Sequence, residues 1–135
     1  MSAKSDYLEE KILNYVLRNT SDWAPTAVYL SLHTANPGET DGSEISGNGY
    51  SRVQIEFDAA TSAGSGASDG FSCDNTNDEE FTASGGSFGT ITHFGIHDQS
   101  SGGNLLYYGA LTAAKAIADG DKLLFAAGSV VITET

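Results

Sequence analysis

Basic residues are scarce in this chain. Six lysines and arginines stand against eighteen aspartates and glutamates over 135 residues, a formal net charge of −12 with a pI near 4.2. Six scattered cations cannot build the positive stripe that phosphate neutralisation demands, so nucleic acid and anionic membrane are excluded as expected partners. The acidity suits a solvated, self-repelling surface and would draw a basic partner surface or cations. Cysteine is nearly absent too. Cys73 stands alone, which excludes an intrachain disulfide. No apolar run approaches the roughly 20 residues of a bilayer span. The opening "MSAKSDYLEEKILNYV" lacks a basic region followed by an apolar stretch and a small-residue cleavage site, so no Sec signal is expected.

What is present is glycine, sixteen of them, with much Ser, Thr and Ala. That composition fits an all-β domain with tight turns and long surface loops. The N-terminal segment is the exception and reads as a helix. Ser5 or Asp6 can cap it, Asp6 with Glu9 has capping-box spacing, and Asn19 is a plausible stop. Leu8, Ile12, Tyr15 and Val16 fall on one stripe, widened by Leu13 and Leu17. Beyond Pro25 the period changes to two. In "TAVYLSLH", Val28, Leu30 and Leu32 alternate with Tyr29, Ser31 and His33, and in "YSRVQIEF", Val53, Ile55 and Phe57 alternate with polar neighbours. "TANPGETDGSEISGNG" and "DNTNDEE" read as acidic loops, and residues 59–70 as a Gly/Ser excursion. Residues 88–97 form a further strand, joined through "DQSSGGN" to "LLYYGAL". "AAKAIADGD" fits either a short helical turn or a strand pair closing at Asp119-Gly120, and "KLLFAAGSVVIT" one or two strands. The expected architecture is mainly β: an antiparallel β-sandwich or jelly-roll-like domain with one N-terminal α-helix. Residues 1–20 form an arm and helix, and 21–135 a single β domain.

Chemistry is suggested in several places. "HFGIH" places His93 and His97 four apart, the spacing of two zinc ligands on a helix. Gly95 and its β-branched and aromatic neighbours favour a strand instead, on which the two stand about 13 Å apart at about 3.3 Å per residue. Zinc needs ligands at about 2.0–2.1 Å, so a metal would require His33 or distant carboxylates to converge, and surface or interface histidines are expected. "GASDG" matches the nucleophile-elbow pattern and nominates Ser68, but a strand–turn–helix context and a large α/β sheet are missing. "DNTNDEEFTASG" begins like a calcium loop, yet has Glu79 at its sixth place and Gly85 at its twelfth. Trp23, Tyr29, Tyr107 and Tyr108 could offer sugars an aromatic platform, against the plainer expectation of core and subunit packing. No nucleophile–base pair or phosphate cradle survives, so no enzyme, metal or cofactor is expected.

Three segments taken together carry a resemblance: "KSDYLEEKILNYVLRNT", "VYLSLHTANPGETDG" with "GNGYSR", and "HFGIHDQSSGGNLLYYGAL". The chain resembles a family of small tailed-bacteriophage proteins commonly labelled tail fibre proteins. The resemblance implies a virion structural role and no catalytic residues. A compact acidic β domain suits a head decoration, or cement, protein, of the kind that sits as a homotrimer on the major capsid protein; a tail fibre protein binding the host surface is the alternative. Such a protein is made in the host cytoplasm and ends in the virion, without contact to nucleic acid or membrane. The contact residues expected are Leu8, Ile12 and Tyr15 on the helix and Tyr107 and Tyr108 on the sheet, and the 1–5 arm is expected to reach across a neighbour.

Overall fold

The computed structural model describes residues 2–21, 23–66 and 69–134. The chain runs β1 (Ser2–Lys4), α1 (Asp6–Arg18), β2 (Val28–His33), β3 (Val53–Ile55), β4 (Thr61–Ser62), β5 (Phe71–Asp74), β6 (Glu79–Thr82), β7 (Gly89–His97), β8 (Leu105–Ile117), β9 (Lys122–Phe125) and β10 (Val131–Glu134). Three antiparallel sheets form, in the orders β1-β8-β7-β2-β3, β10-β5-β4 and β6-β9. One face of the five-stranded sheet supplies Leu30, Leu32, Phe94 and Ile96. These pack with Phe81 of β6, Leu123 and Phe125 of β9 and Ile132 of β10 into one core. The result is the mainly β, sandwich-like architecture with one N-terminal helix.

α1 forms where its caps predict. Ser5 is the N-cap, its hydroxyl accepting from the Leu8 amide at 3.3 Å, and Asn19 ends the helix in the left-handed conformation at φ 57°. Ser5 is buried, and its hydroxyl also donates to the Leu105 carbonyl of β8, so the cap fastens the helix to the sheet. Ser5→Ala is expected to cost about 2 kcal/mol, a lost cap plus a buried carbonyl left unpaired. A urea midpoint unchanged from the parent chain would contradict this.

Several expectations need correction. Residues 2–4 are not a free arm: they pair with Gly109, Tyr108 and Tyr107 of β8. The Lys4 ammonium meets Glu134 at 2.7 Å and the Thr133 amide donates to Ser2 at 3.0 Å. "DNTNDEE" is half strand, because Glu79 to Thr82 pair with β9 and put Glu79 and Phe81 inward. "AAKAI" continues β8 rather than coiling, and β9 pairs with β6 instead of folding back on β8. The polar face of β2 is not exposed either. Leu30, Ser31, Leu32 and His33 are all buried, since residues 34–44 fold back over that face.

Candidate functional site

Two features of the structure bear on function: a buried polar chain in the sheet and an apolar surface beside α1. The polar chain begins on β2, where Ser31 and His33 lie on the face opposite the core. The Ser31 hydroxyl is 2.9 Å from Nε2 of His33 and 3.0 Å from Nδ1 of His97 on β7. Nδ1 of His33 donates to the Gly42 carbonyl at 2.7 Å, and Nε2 of His97 is 2.9 Å from the Asp41 carboxylate. The two imidazoles stack with centroids 6.1 Å apart and planes within 6°. Gly95 lies between them on β7, opposite Ser31. A β-carbon there would stand 2.6 Å from the Ser31 hydroxyl and 2.8 Å from Nε2 of His33, so only glycine leaves room for the rings.

Asp41, His97 and Ser31 thus reproduce the connectivity of a carboxylate–base–nucleophile triad. The chemistry does not follow. Ser31, His33 and His97 are each fully buried, and a nucleophile needs an open position for the reacting atom that the Gly95 backbone and Leu105 occupy here. Burial pushes the His33 imidazole below its ordinary pKa, against the opposing pull of the Gly42 carbonyl and the nearby Glu44. Glu44 bridges to the end of β2 and is clamped by Arg52 in a two-pronged pair with contacts of 2.8 and 2.7 Å, and by the Tyr50 hydroxyl at 2.6 Å. Burial alone would raise the Glu44 carboxyl, but these donors outweigh it and hold it low.

The histidine expectations are corrected accordingly. His33 and His97 are buried rather than surface or interface residues, and they do converge, through a serine. His93 stands apart, opposite His33 and half-buried, with Nδ1 2.8 Å from the Thr92 hydroxyl. Among the described residues no three His, Cys, Asp or Glu side chains are grouped to hold a metal. Ser68 lies outside the described residues. The acidic loops use carboxylates as staples: Asp78 accepts from the Ala127 amide at 2.8 Å and Asp58 from the Thr76 hydroxyl at 2.9 Å.

The apolar surface is built by α1 and the three-stranded sheet. Between them lies an open cleft of about 380 Å³, lined by Leu8, Ile12, Trp23, Phe71, Cys73 and Ile132 among others. The indole N–H of Trp23 is buried there without a hydrogen-bond partner among the described residues. Burial raises the Cys73 thiol above its usual pKa, so it is no reactive thiolate. Leu8 is spent inside the fold, at 3% exposure, and Ile12 is half-buried in the cleft. Tyr15 is exposed and meets Trp23 edge-on at 6.3 Å. Past Ile12 the helix turns an apolar face outward: Leu13, Val16 and Leu17 are 59%, 67% and 75% exposed, and Phe71 on the cleft rim is 57% exposed. Consecutive residues on β8 face opposite ways, so Tyr107 and Tyr108 share no platform. Tyr107 enters the cleft and donates to Glu134 at 2.6 Å, which with burial raises its pKa; Tyr108 sits beside Gly95, half-buried. The helix surface is the feature that periodicity missed, because Leu13, Val16 and Leu17 look like core residues until the sheet is seen to accept only Leu8 and Ile12.

Comparison with family models matches residues 3–133 to the family described as podophage GP4 fiber I protein gp80. The chain belongs to that family, and so to the fibre-type structural proteins of phage virions. No match was found among curated proteins. Among the described residues no helix is long and apolar enough to cross a membrane.

Proposed function

We propose that this chain is a fibre component of a tailed-phage virion, docking through the outer face of α1 and the rim of the adjoining cleft. The observation that carries this reading is the exposure of Leu13, Val16 and Leu17 together in the last two turns of one helix. Exposed apolar clusters rimmed by polar residues mark contact sites, whereas scattered ones need no explanation. Self-association as a homotrimer and attachment to another virion protein, the major capsid protein included, are the contacts this surface would serve. Of the residues expected from sequence, Tyr15 and Ile12 belong to it at the rim, while Leu8 and Tyr107 support it from within.

The test is the copy number of the protein in particles, read by quantitative mass spectrometry. A handful of copies at the tail supports the fibre reading; hundreds of copies spread over the head would replace it with capsid decoration. In the same particles Leu13→Ser with Leu17→Ser, two exposed positions, is expected to leave the fold intact and lower incorporation at least about tenfold, as loss of roughly 1.4 kcal/mol or more of contact energy requires. Incorporation at the parental level would remove α1 as the docking element.

A further inference from the structure

The polar chain in the sheet has a proton count that does not close with neutral side chains. It contains four contacts of hydrogen-bond length: Gly42 carbonyl to His33, His33 to Ser31, Ser31 to His97, and His97 to Asp41. Each contact needs one proton between its heavy atoms. The Gly42 carbonyl and an ionised Asp41 have none to give. Two neutral imidazoles bring one N–H each and Ser31 one O–H, three protons for four contacts. Whatever tautomers are chosen, one contact leaves two lone pairs facing each other, and an unmade hydrogen bond between buried groups is costly. A fourth proton completes every contact. His33 then donates from Nδ1 to Gly42, Ser31 donates to Nε2 of His33, and His97 donates from Nδ1 to Ser31 and from Nε2 to Asp41.

We infer that the folded chain holds this fourth proton at pH values where a free imidazole has lost it, and that the resulting imidazolium–carboxylate pair clasps residues 34–44 onto the five-stranded sheet. The neighbours make Asp41 the counter-ion. Glu44 is neutralised by Arg52 and Tyr50, and the Gly95 side of the rings meets Leu105 of β8. The other titratable groups on this face among the described residues are His33 itself and, by strand pairing, His93 opposite His33 and Tyr29 opposite His97, none of them a second anion at neutral pH. His33 meets only a neutral carbonyl at its outer nitrogen whereas His97 meets the Asp41 carboxylate, which places the charge at the His97 end. The loop turns at Asp41 and Ser43, which take left-handed φ of 68° and 63°, a region that non-glycine residues other than Asn and Asp enter uncommonly. The Asp41 side chain is 31% exposed and gives the proton its route to solvent. The same loop reaches α1, where the Glu39 carbonyl accepts from the Asp6 amide at 3.3 Å, so the clasp also seats the start of the docking helix.

Nitrogen-15 NMR of the histidine rings at pH 7.5 tests this directly. The expected result is hydrogen on both ring nitrogens of His97, with His33 as the neutral Nδ1–H tautomer. Asp41→Asn is the discriminating variant. Its amide N–H can donate to Nε2 of His97, so all four contacts close with both rings neutral, and the imidazolium signature should vanish while the fold remains. Stability follows by linkage. A proton affinity raised by folding is stabilising below the unfolded pKa of about 6.5 and is lost as pH climbs through the folded value. From pH 6.5 to 8.5 the unfolding constant of the parent chain should therefore rise, by up to about tenfold per unit, and that of Asp41→Asn should stay level. On the acid side the depressed His33 works in the opposite sense, costing stability as pH falls below about 6.5 in both proteins. Two neutral rings in the parent chain at pH 7.5, or an alkaline slope retained in Asp41→Asn, would overturn the inference. If the variant does not fold, the parental spectrum still decides.

Discussion

Gly95→Ala is expected to destabilise the chain by about 3 kcal/mol, lowering Tm by roughly 10 °C in a calorimetric scan. The added methyl would stand 2.6 Å from the Ser31 hydroxyl, 2.8 Å from His33 and 2.9 Å from a Leu105 methyl. None of the three can yield cheaply. Rotating Ser31 away breaks its bonds to both imidazoles, moving His33 breaks its bond to Gly42, and Leu105 is itself buried. The same substitution at Gly85, where a β-carbon meets nothing within 4 Å, is strained by its φ of 86° alone and should cost about 1 kcal/mol. A Gly95→Ala loss no larger than that of Gly85→Ala would mean that the rings adapt.

Asn75→Ala should cost a similar amount for a different reason. Asn75 is 1% exposed and acts as a clamp between two loops. Its amide nitrogen donates to the carbonyls of Asn77 at 2.7 Å and Ala126 at 3.1 Å, and its oxygen accepts from the Val130 amide at 2.8 Å. Removing the side chain leaves the Val130 amide and the Asn77 carbonyl without this partner, while the Ala126 carbonyl keeps the Ser129 amide at 3.0 Å. At about 1 kcal/mol or more for each group, about 2 to 3 kcal/mol is expected from urea unfolding. Asn75→Asp should not rescue it. A carboxylate keeps the bond from Val130 but turns two donations into contacts between oxygens. Recovery of parental stability in Asn75→Asp would show that the Val130 bond alone matters.

What the sequence disclosed here was local. Ser5 and Asn19 cap α1 because a helix end needs a side-chain acceptor or a left-handed residue within a turn of itself, and the hairpin at 98–104 closes through Asp98 and Asn104 for the same reason. The alternation in "TAVYLSLH" located β2 but not what covers its polar face, because Asp41 and Gly42 return to it only after the loop folds over. The meeting of His33 and His97 was hidden because the residues are 64 positions apart and are joined by strand pairing. One signal was available: a glycine inside a β-branched strand marks a close approach, and Gly95 is that glycine. Glu79 and Glu80 concealed β6 by their charge, although Phe81 keeps the period of two. The apolar stripe of α1 was legible, but periodicity does not show how far the sheet extends beneath it, so the burial of Leu8 and the exposure of Leu13, Val16 and Leu17 were not.

The fastening of β1 has a consequence for the order of folding. β1 is fixed by β8, and Lys4 and Ser2 by Glu134 and Thr133 on β10, so its partners lie more than a hundred positions away along the sequence. Contacts of such separation are slow to form, because the intervening chain must first be ordered. β1 is therefore expected to dock late, onto a β8 and β10 already in place.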